Sequence, residues 1–252
     1  MRTLRLVSRL TIFVLASFVC LGDFVRKRIC RNLSTSERAA WLQYWCSLGL
    51  RIIGTSAHVQ GEVPRSGLIV SNHLSYLDIL VYSTVAGCAF VSKREVRSWP
   101  VFGWIATLAG SIYIDRRRPG DTHRVSNEMA AALANDHPLV LFPEGTSSDG
   151  SSVLRFHSSL FEAAVATQTP ITSAYLYYEV TDGSVATDVC YWGKMSFARH
   201  ILRLFAIRHV SARIRFAPAA QVFDDRKMAA AATHAEVVSL SDRSAATQHS
   251  SL

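Results

Sequence analysis

Apolar and polar positions divide the chain into two regimes. Up to residue 53 they repeat as helices do. Leu10 to Gly22 is an uncharged, mostly apolar run of 13 residues preceded by Arg2, Arg5 and Arg9. Residues 35–53 interleave Trp41, Leu42, Trp45, Leu48, Leu50 and Ile52 with Arg38 and Arg51, the pattern of an amphipathic helix lying against a core or a membrane surface. From Gly67 onward short β-rich runs alternate with helical ones. Strands are predicted at Gly67 to Val70, Cys88 to Ser92, Ser111 to Ile114, Pro138 to Phe142 and Ile171 to Tyr178, and helices at Tyr76 to Val85, Trp99 to Leu108, His123 to Ala134 and Ser158 to Ala166. Beyond them Val189 to Trp192 and Val210 to Phe216 read as strands around a helix from Phe197 to Ile207, and residues 226–240 as an Ala-rich closing helix before a polar, disordered tail over 241–252.

This alternation predicts an α/β fold: one domain with a mixed, largely parallel sheet flanked by helices, preceded by an apolar membrane-anchoring helix. It divides the chain into membrane-associating helices (1–60), the α/β domain (61–225) and the closing helix with its tail (226–252). A chain of 252 residues holds one such core, and so one active site is expected.

Composition sharpens the membrane expectation. Hydrophobic residues make up 49 % of the chain and the mean hydropathy is +0.17, high for a domain that must keep a polar surface. The formal net charge is +8, and residues 1–60, with nine Lys/Arg against two acids, carry +7 of it. Basic excess beside an apolar run points to the anionic cytoplasmic leaflet. It does not point to nucleic acid, which would want basic residues interleaved with stacking aromatics across the domain. The 13-residue run spans only about 20 Å as a helix, short of the ~30 Å hydrocarbon core, so a retained anchor or half-inserted helix is expected. Cys20-Leu21-Gly22-Asp23 is a poor signal cleavage site, and Arg26-Lys27-Arg28 follows at once. Five cysteines, with no C-x-x-C pair, fit a reduced, cytosol-facing domain without structural zinc.

Three polar clusters stand where strands end, the place where open α/β sheets keep their reactive groups. The first is Ser71-Asn72-His73-Leu74-Ser75-Tyr76-Leu77-Asp78. If a helix starts at Ser75, Asp78 in its first turn can hold the His73 ring in one tautomer, with the other nitrogen free to take a proton from an alcohol. The same Ser75-x-x-Asp78 spacing also fits a capping box, a purely structural role. The second cluster, Asp115-Arg116-Arg117-Arg118, offers forked donors matched to phosphate or carboxylate. In the third, Phe142-Pro143-Glu144-Gly145-Thr146-Ser147-Ser148-Asp149-Gly150, a glycine turn brings a carboxylate and hydroxyls to a strand end. No Gly-x-Ser-x-Gly elbow occurs, which disfavours a serine hydrolase.

Asn72-His73-x-x-x-x-Asp78, then Tyr113-Ile114-Asp115-Arg116, then Phe142-Pro143-Glu144-Gly145-Thr146 resemble, in order, the three blocks of the glycerolipid acyltransferase family. Lys93-Arg94-Glu95 with Trp99-Pro100 to Trp104 is similar to the family's connecting stretch, and the resemblance runs from about Gly61 to Tyr178. It implies His73 as general base and Asp78 as its partner, and Asn72, Lys93, Arg116, Glu144, Gly145 and Thr146 as the residues that bind substrate. It implies attack of a lysolipid hydroxyl on an acyl-CoA or acyl-carrier-protein thioester at the cytoplasmic face of the inner membrane, with no metal, no cofactor and no covalent acyl-enzyme. The acceptor expected first is 1-acyl-sn-glycerol-3-phosphate, giving phosphatidic acid. One departure opens an alternative. Ser147 stands where the family usually keeps an arginine, and the run Glu-Gly-Thr-Ser-Ser-Asp-Gly is similar to that of lyso-ornithine lipid acyltransferases, whose acceptor lacks a phosphate. A non-catalytic lipid-binding protein that kept the fold is the alternative of another class.

Overall fold

The computed structural model describes residues 2–30, 34–94, 103, 111–114 and 121–249. Seven strands form one sheet: β1 (Thr55–Gln60), β2 (Leu68–Ser71), β3 (Ala89–Lys93), β4 (Ile112–Ile114), β5 (Leu139–Leu141), β6 (Ile171–Val180) and β7 (Val210–Phe216). Their order across the sheet is β1-β7-β6-β2-β5-β3-β4, and every neighbouring pair is parallel except β6 with β7. The largely parallel sheet expected from the alternating pattern is therefore present. β1 was not expected: Thr55-Ser-Ala-His-Val-Gln60 has no continuous apolar run, because it is an edge strand with only its first residue buried. Residues 55–60 thus belong to the sheet, which begins before the boundary expected at residue 61.

Alternate residues of β2 feed opposite layers, Ile69 one core and Leu68 and Val70 the other. The first core is covered by α1 (Arg2–Cys30), α2 (Thr35–Ile53), α3 (Leu77–Val85) and α6 (Phe197–Ala206). The second is covered by α4 (Asp121–Leu133), α5 (Glu162–Ala166) and α7 (Arg226–His249). The closing helix runs on to His249, through much of the segment expected to be a disordered tail. Val189 to Trp192 is not a strand: Val185–Val189 is a π-helical turn, and the extended residues after it bond to loops instead of a sheet, Tyr191 N–H donating to the Leu74 carbonyl at 2.8 Å. The helix predicted over Trp99 to Leu108 lies outside the described residues, apart from Gly103.

The apolar run of 13 residues is the middle of a 29-residue helix, and its segment Arg2–Lys27 is long and apolar enough to cross a membrane. The helix nevertheless packs along the domain. Phe24 meets Trp41, Phe13 meets Phe205 of α6, and the Arg9 guanidinium donates to the carbonyls of Ile207 at 2.5 Å and Arg208 at 3.0 Å, capping the end of α6. Gly54 makes room for it: the residue adopts φ +83° at the end of α2, and a Cβ there would lie 2.0 Å from an Arg9 nitrogen. At the other end of the hairpin both indoles, Trp41 and Trp45, donate to Asp23, which also pairs with Lys27. The outward positions Leu4, Val7, Leu15, Phe18, Val25 and Ile29 lie one turn or two turns apart along the helix and are exposed. Only 11 % of the most apolar stretch of α1 is buried within the protein.

Candidate active site

The helices that follow β2 and β5 leave in opposite directions. α3 packs into one core and α5 into the other, so the carboxyl ends of these adjacent parallel strands open a crevice between them. The register sets Val70 opposite Leu141, and the chain beyond each strand therefore brings His73 beside Phe142-Pro143-Glu144. The His73 ring stacks on Phe142 with centroids 4.3 Å apart at 18°.

His73 Nδ1 lies 2.7 Å from Asp78 Oδ2, and the pairing is deeply unequal in exposure, the carboxylate being fully buried while 22 % of the imidazole side chain remains open. Asp78 accepts from every partner it has: the imidazole, the backbone N–H groups of Leu74 at 2.7 Å and Ser75 at 3.0 Å, and the Tyr178 hydroxyl at 2.6 Å on its other oxygen. A carboxylate that only accepts places the ring proton on Nδ1 and leaves Nε2 with a free lone pair. Burial and the neighbouring Asp78 charge push the Tyr178 hydroxyl well above its usual range, which keeps it a donor. The capping box is half formed. Asp78 reaches back to the Ser75 N–H, but Ser75 Oγ is buried without a hydrogen-bond partner among the described residues, so the carboxylate is committed to the loop and the ring.

Asn72 stands behind this pair. Its side-chain NH2 donates to the Leu176 carbonyl at 2.9 Å and its oxygen accepts from the Leu176 N–H at 2.8 Å, adding a side-chain rung where the β2–β6 ladder stops at Ser71 and Ala174. Both ends of the amide are engaged with β6 and the residue is 2 % exposed, so the backbone just before His73 is pinned to the sheet. Replacing Asn72 with Ala leaves the Leu176 N–H and carbonyl buried and unpaired. The expected loss is about 2–4 kcal/mol of stability, read as a shift in the urea midpoint at unchanged slope.

Glu144 is 3 % exposed, and neither carboxyl oxygen has a hydrogen-bond partner among the described residues. Burial pushes its carboxyl up to about 8; the backbone amides of Leu154 and His73 oppose the rise and Asp78 adds to it. Gly145 turns the chain at φ +66°, donating to the Phe142 carbonyl, and Thr146 is exposed on the rim. Ser148 N–H donates to the His73 carbonyl at 2.9 Å and the Ser147 hydroxyl donates to the Tyr191 carbonyl, so the first and third blocks and the segment after the π-helical turn are sewn together.

Lys93 closes β3 on the same rim, its side chain outside the described residues, as is Arg116. Arg155 is exposed. Tyr178 and Phe142 are the functional neighbours that the motifs left without a role. Tyr178 lies 100 residues from Asp78, and its polar tip at the end of an apolar strand was the only local sign. Among the described residues no group of three or more His, Cys, Asp or Glu is placed to hold a metal ion.

Residues 56–177 match the family described as Acyltransferase. The lyso-ornithine lipid O-acyltransferase of Rhizobium meliloti is 40 % identical over 140 residues, covering 55 % of this chain and 48 % of that protein. Its namesake in Rhodobacter capsulatus is 33 % identical over 203 residues, 76 % of this chain and 72 % of that one. The chain thus spans about half the length of the first relative and nearly three quarters of the second. The crystal structure of the 1-acyl-sn-glycerophosphate acyltransferase of Thermotoga maritima superposes with a TM-score of 0.68 at 18 % identity, over 94 % of this chain and 95 % of that one, a likeness of fold.

Proposed function

The chain belongs to the acyltransferase family, and from that premise we propose that it transfers a fatty acyl group from a thioester, acyl-CoA or acyl-carrier protein, to the hydroxyl of a lysolipid. The observation that carries the proposal is the His73–Asp78 contact at 2.7 Å, which joins a fully buried carboxylate to an imidazole that remains 22 % open. His73 Nε2 takes the proton of the acceptor hydroxyl as its oxygen bonds to the thioester carbonyl carbon. Asp78 holds the imidazolium that forms. Collapse of the tetrahedral adduct breaks the carbon–sulfur bond, and the departing thiolate takes the proton from His73, leaving an ester and a free thiol. No cofactor beyond the thioester is required.

For the acceptor we place lyso-ornithine lipid ahead of 1-acyl-sn-glycerol-3-phosphate, reversing the order first expected. Ser147 supports this choice: where the family usually keeps an arginine there is a hydroxyl already committed to the Tyr191 carbonyl. A head group without phosphate does not need the missing charge-assisted contact. The names of the relatives in Rhizobium meliloti and Rhodobacter capsulatus support it as well. The apolar outward stripe of α1 supports a seat on the cytoplasmic face of the inner membrane, with the helix lying along the surface.

Purified protein given acyl-carrier protein or acyl-CoA is expected to release thiol when lyso-ornithine lipid is added, and more slowly with 1-acyl-sn-glycerol-3-phosphate. Release with the phosphate acceptor alone would reject the acceptor assignment. Silence with both acceptors and both donors would leave the non-catalytic lipid-binding reading standing.

A further inference from the structure

One exposed surface is not used by the chemistry. α6 buries His200, Leu204, Phe205 and Ala206 and turns Arg199, Leu202 and Arg203 outward, a one-sided helix with two cations flanking an apolar residue that is 42 % exposed. Lys194 and Trp192, before the helix, and Arg208, after it, are also exposed. None of the four cations forms an ion pair among the described residues. The acid nearest Arg208, Asp182, pairs with Arg5 and accepts the Arg208 amide, and a surface with this cationic excess is suited to anions supplied from outside.

We propose that this face of α6 is a second membrane contact, which binds the phosphate head groups of an anionic leaflet while α1 supplies the apolar contact. The proposal rests on the membrane seat put forward above and assigns a surface outside the N-terminal helices. Position favours a bilayer as the occupant. α6 packs beside α1 through Phe205 on Phe13, and Arg9 of α1 caps its carboxyl end, so the basic helix lies against the helix that carries the exposed apolar residues Leu4, Val7, Leu15 and Phe18. Cations rimming an apolar strip, with a partly exposed tryptophan among them, form the arrangement that rests at a headgroup boundary. α6 also holds the crevice directly: the Tyr76 hydroxyl, at the start of α3, lies 3.0 Å from His200 Nδ1. Pinning α6 to head groups therefore holds the crevice at the surface from which a lysolipid arrives.

The test uses the full chain with Arg199→Glu and Arg203→Glu together, and the milder Arg199→Gln with Arg203→Gln. Sedimentation is measured with vesicles of pure phosphatidylcholine and with vesicles containing about one third phosphatidylglycerol. Each cation near an anionic surface is worth about fivefold in partition. The Gln pair is therefore expected to bind the anionic vesicles on the order of thirtyfold more weakly, and the Glu pair more weakly still. Both should keep wild-type binding to phosphatidylcholine and wild-type thiol release from a detergent-dispersed acceptor. Equal loss on both vesicle types would mean that the α1 seat had been disturbed, and would overturn an electrostatic role for α6. Unchanged vesicle binding would overturn the proposal outright, and if the KM for acyl-carrier protein rose at the same time, the face would belong to an acidic protein partner.

Discussion

Replacing His73 with Ala is expected to lower thiol release by about 10²–10⁴-fold, the contribution of a positioned general base, with the protein still folded. The ring is partly open and stacks on one face of Phe142, so its loss removes little packing. Asp78→Asn should lower the rate as well, but for a different reason and with a different signature. The site surrounds the carboxylate with four donors. An amide would turn its NH2 toward some of them, costing stability as well as the ring's tautomer. Thiol release measured beside urea melts therefore separates the two: His73→Ala loses turnover alone, and Asp78→Asn loses both. Turnover at the wild-type rate in His73→Ala would remove the ring from the chemistry.

Glu144→Gln is expected to stabilise the protein in alkaline solution. The folded-state carboxyl titrates near 8 against an ordinary 4.5, so between these values the folded protein holds a proton that the unfolded chain releases. The stability tied to that proton is complete below about pH 4.5 and is lost as pH rises through 8. Gln keeps the neutral shape and has no proton to lose. The variant should match wild type in acid and exceed it above pH 8 by at most roughly 5 kcal/mol, at about 1.4 kcal/mol for each tenfold in the protonation equilibrium. His200 works in the opposite direction: burial pulls its ring down to about 4, so its contribution grows as pH rises from 4 toward 6.5. The difference between the melting profiles of variant and wild type across pH 5–9 is therefore the quantity that isolates Glu144. A flat difference would mean that Glu144 is ionised, and matched by a partner, throughout.

The strands β2 and β5 were legible as short buried apolar runs and β7 by its alternation of apolar with polar residues, and Val210 to Phe216 matches its prediction to the residue. β1 was hidden because an edge strand buries too little to show alternation. Tyr191 misled because its run is apolar for a reason other than sheet pairing: it packs on Tyr76 and His200 and bonds to Leu74. His73, Asp78 and Glu144 could be read from the sequence as chemistry-bearing types at strand ends. Asn72 could be read only as a polar neighbour, since its partner Leu176 lies 104 positions away.

The sequence alone determined what repeats over short distances or is carried by a short motif: the alternating elements, the apolar basic N-terminus, and the spacing that lets an Asp in a helix's first turn meet a His five positions earlier. Tertiary structure decided what depends on distant segments. It made Asp78 a four-donor acceptor by bringing in Tyr178, buried the Glu144 carboxyl and so raised its titration, and laid α1 along α2 and α6 with its apolar stripe outward. The physical reason is that burial and desolvation belong to the assembled surroundings of a group, and these are absent until the strands have paired.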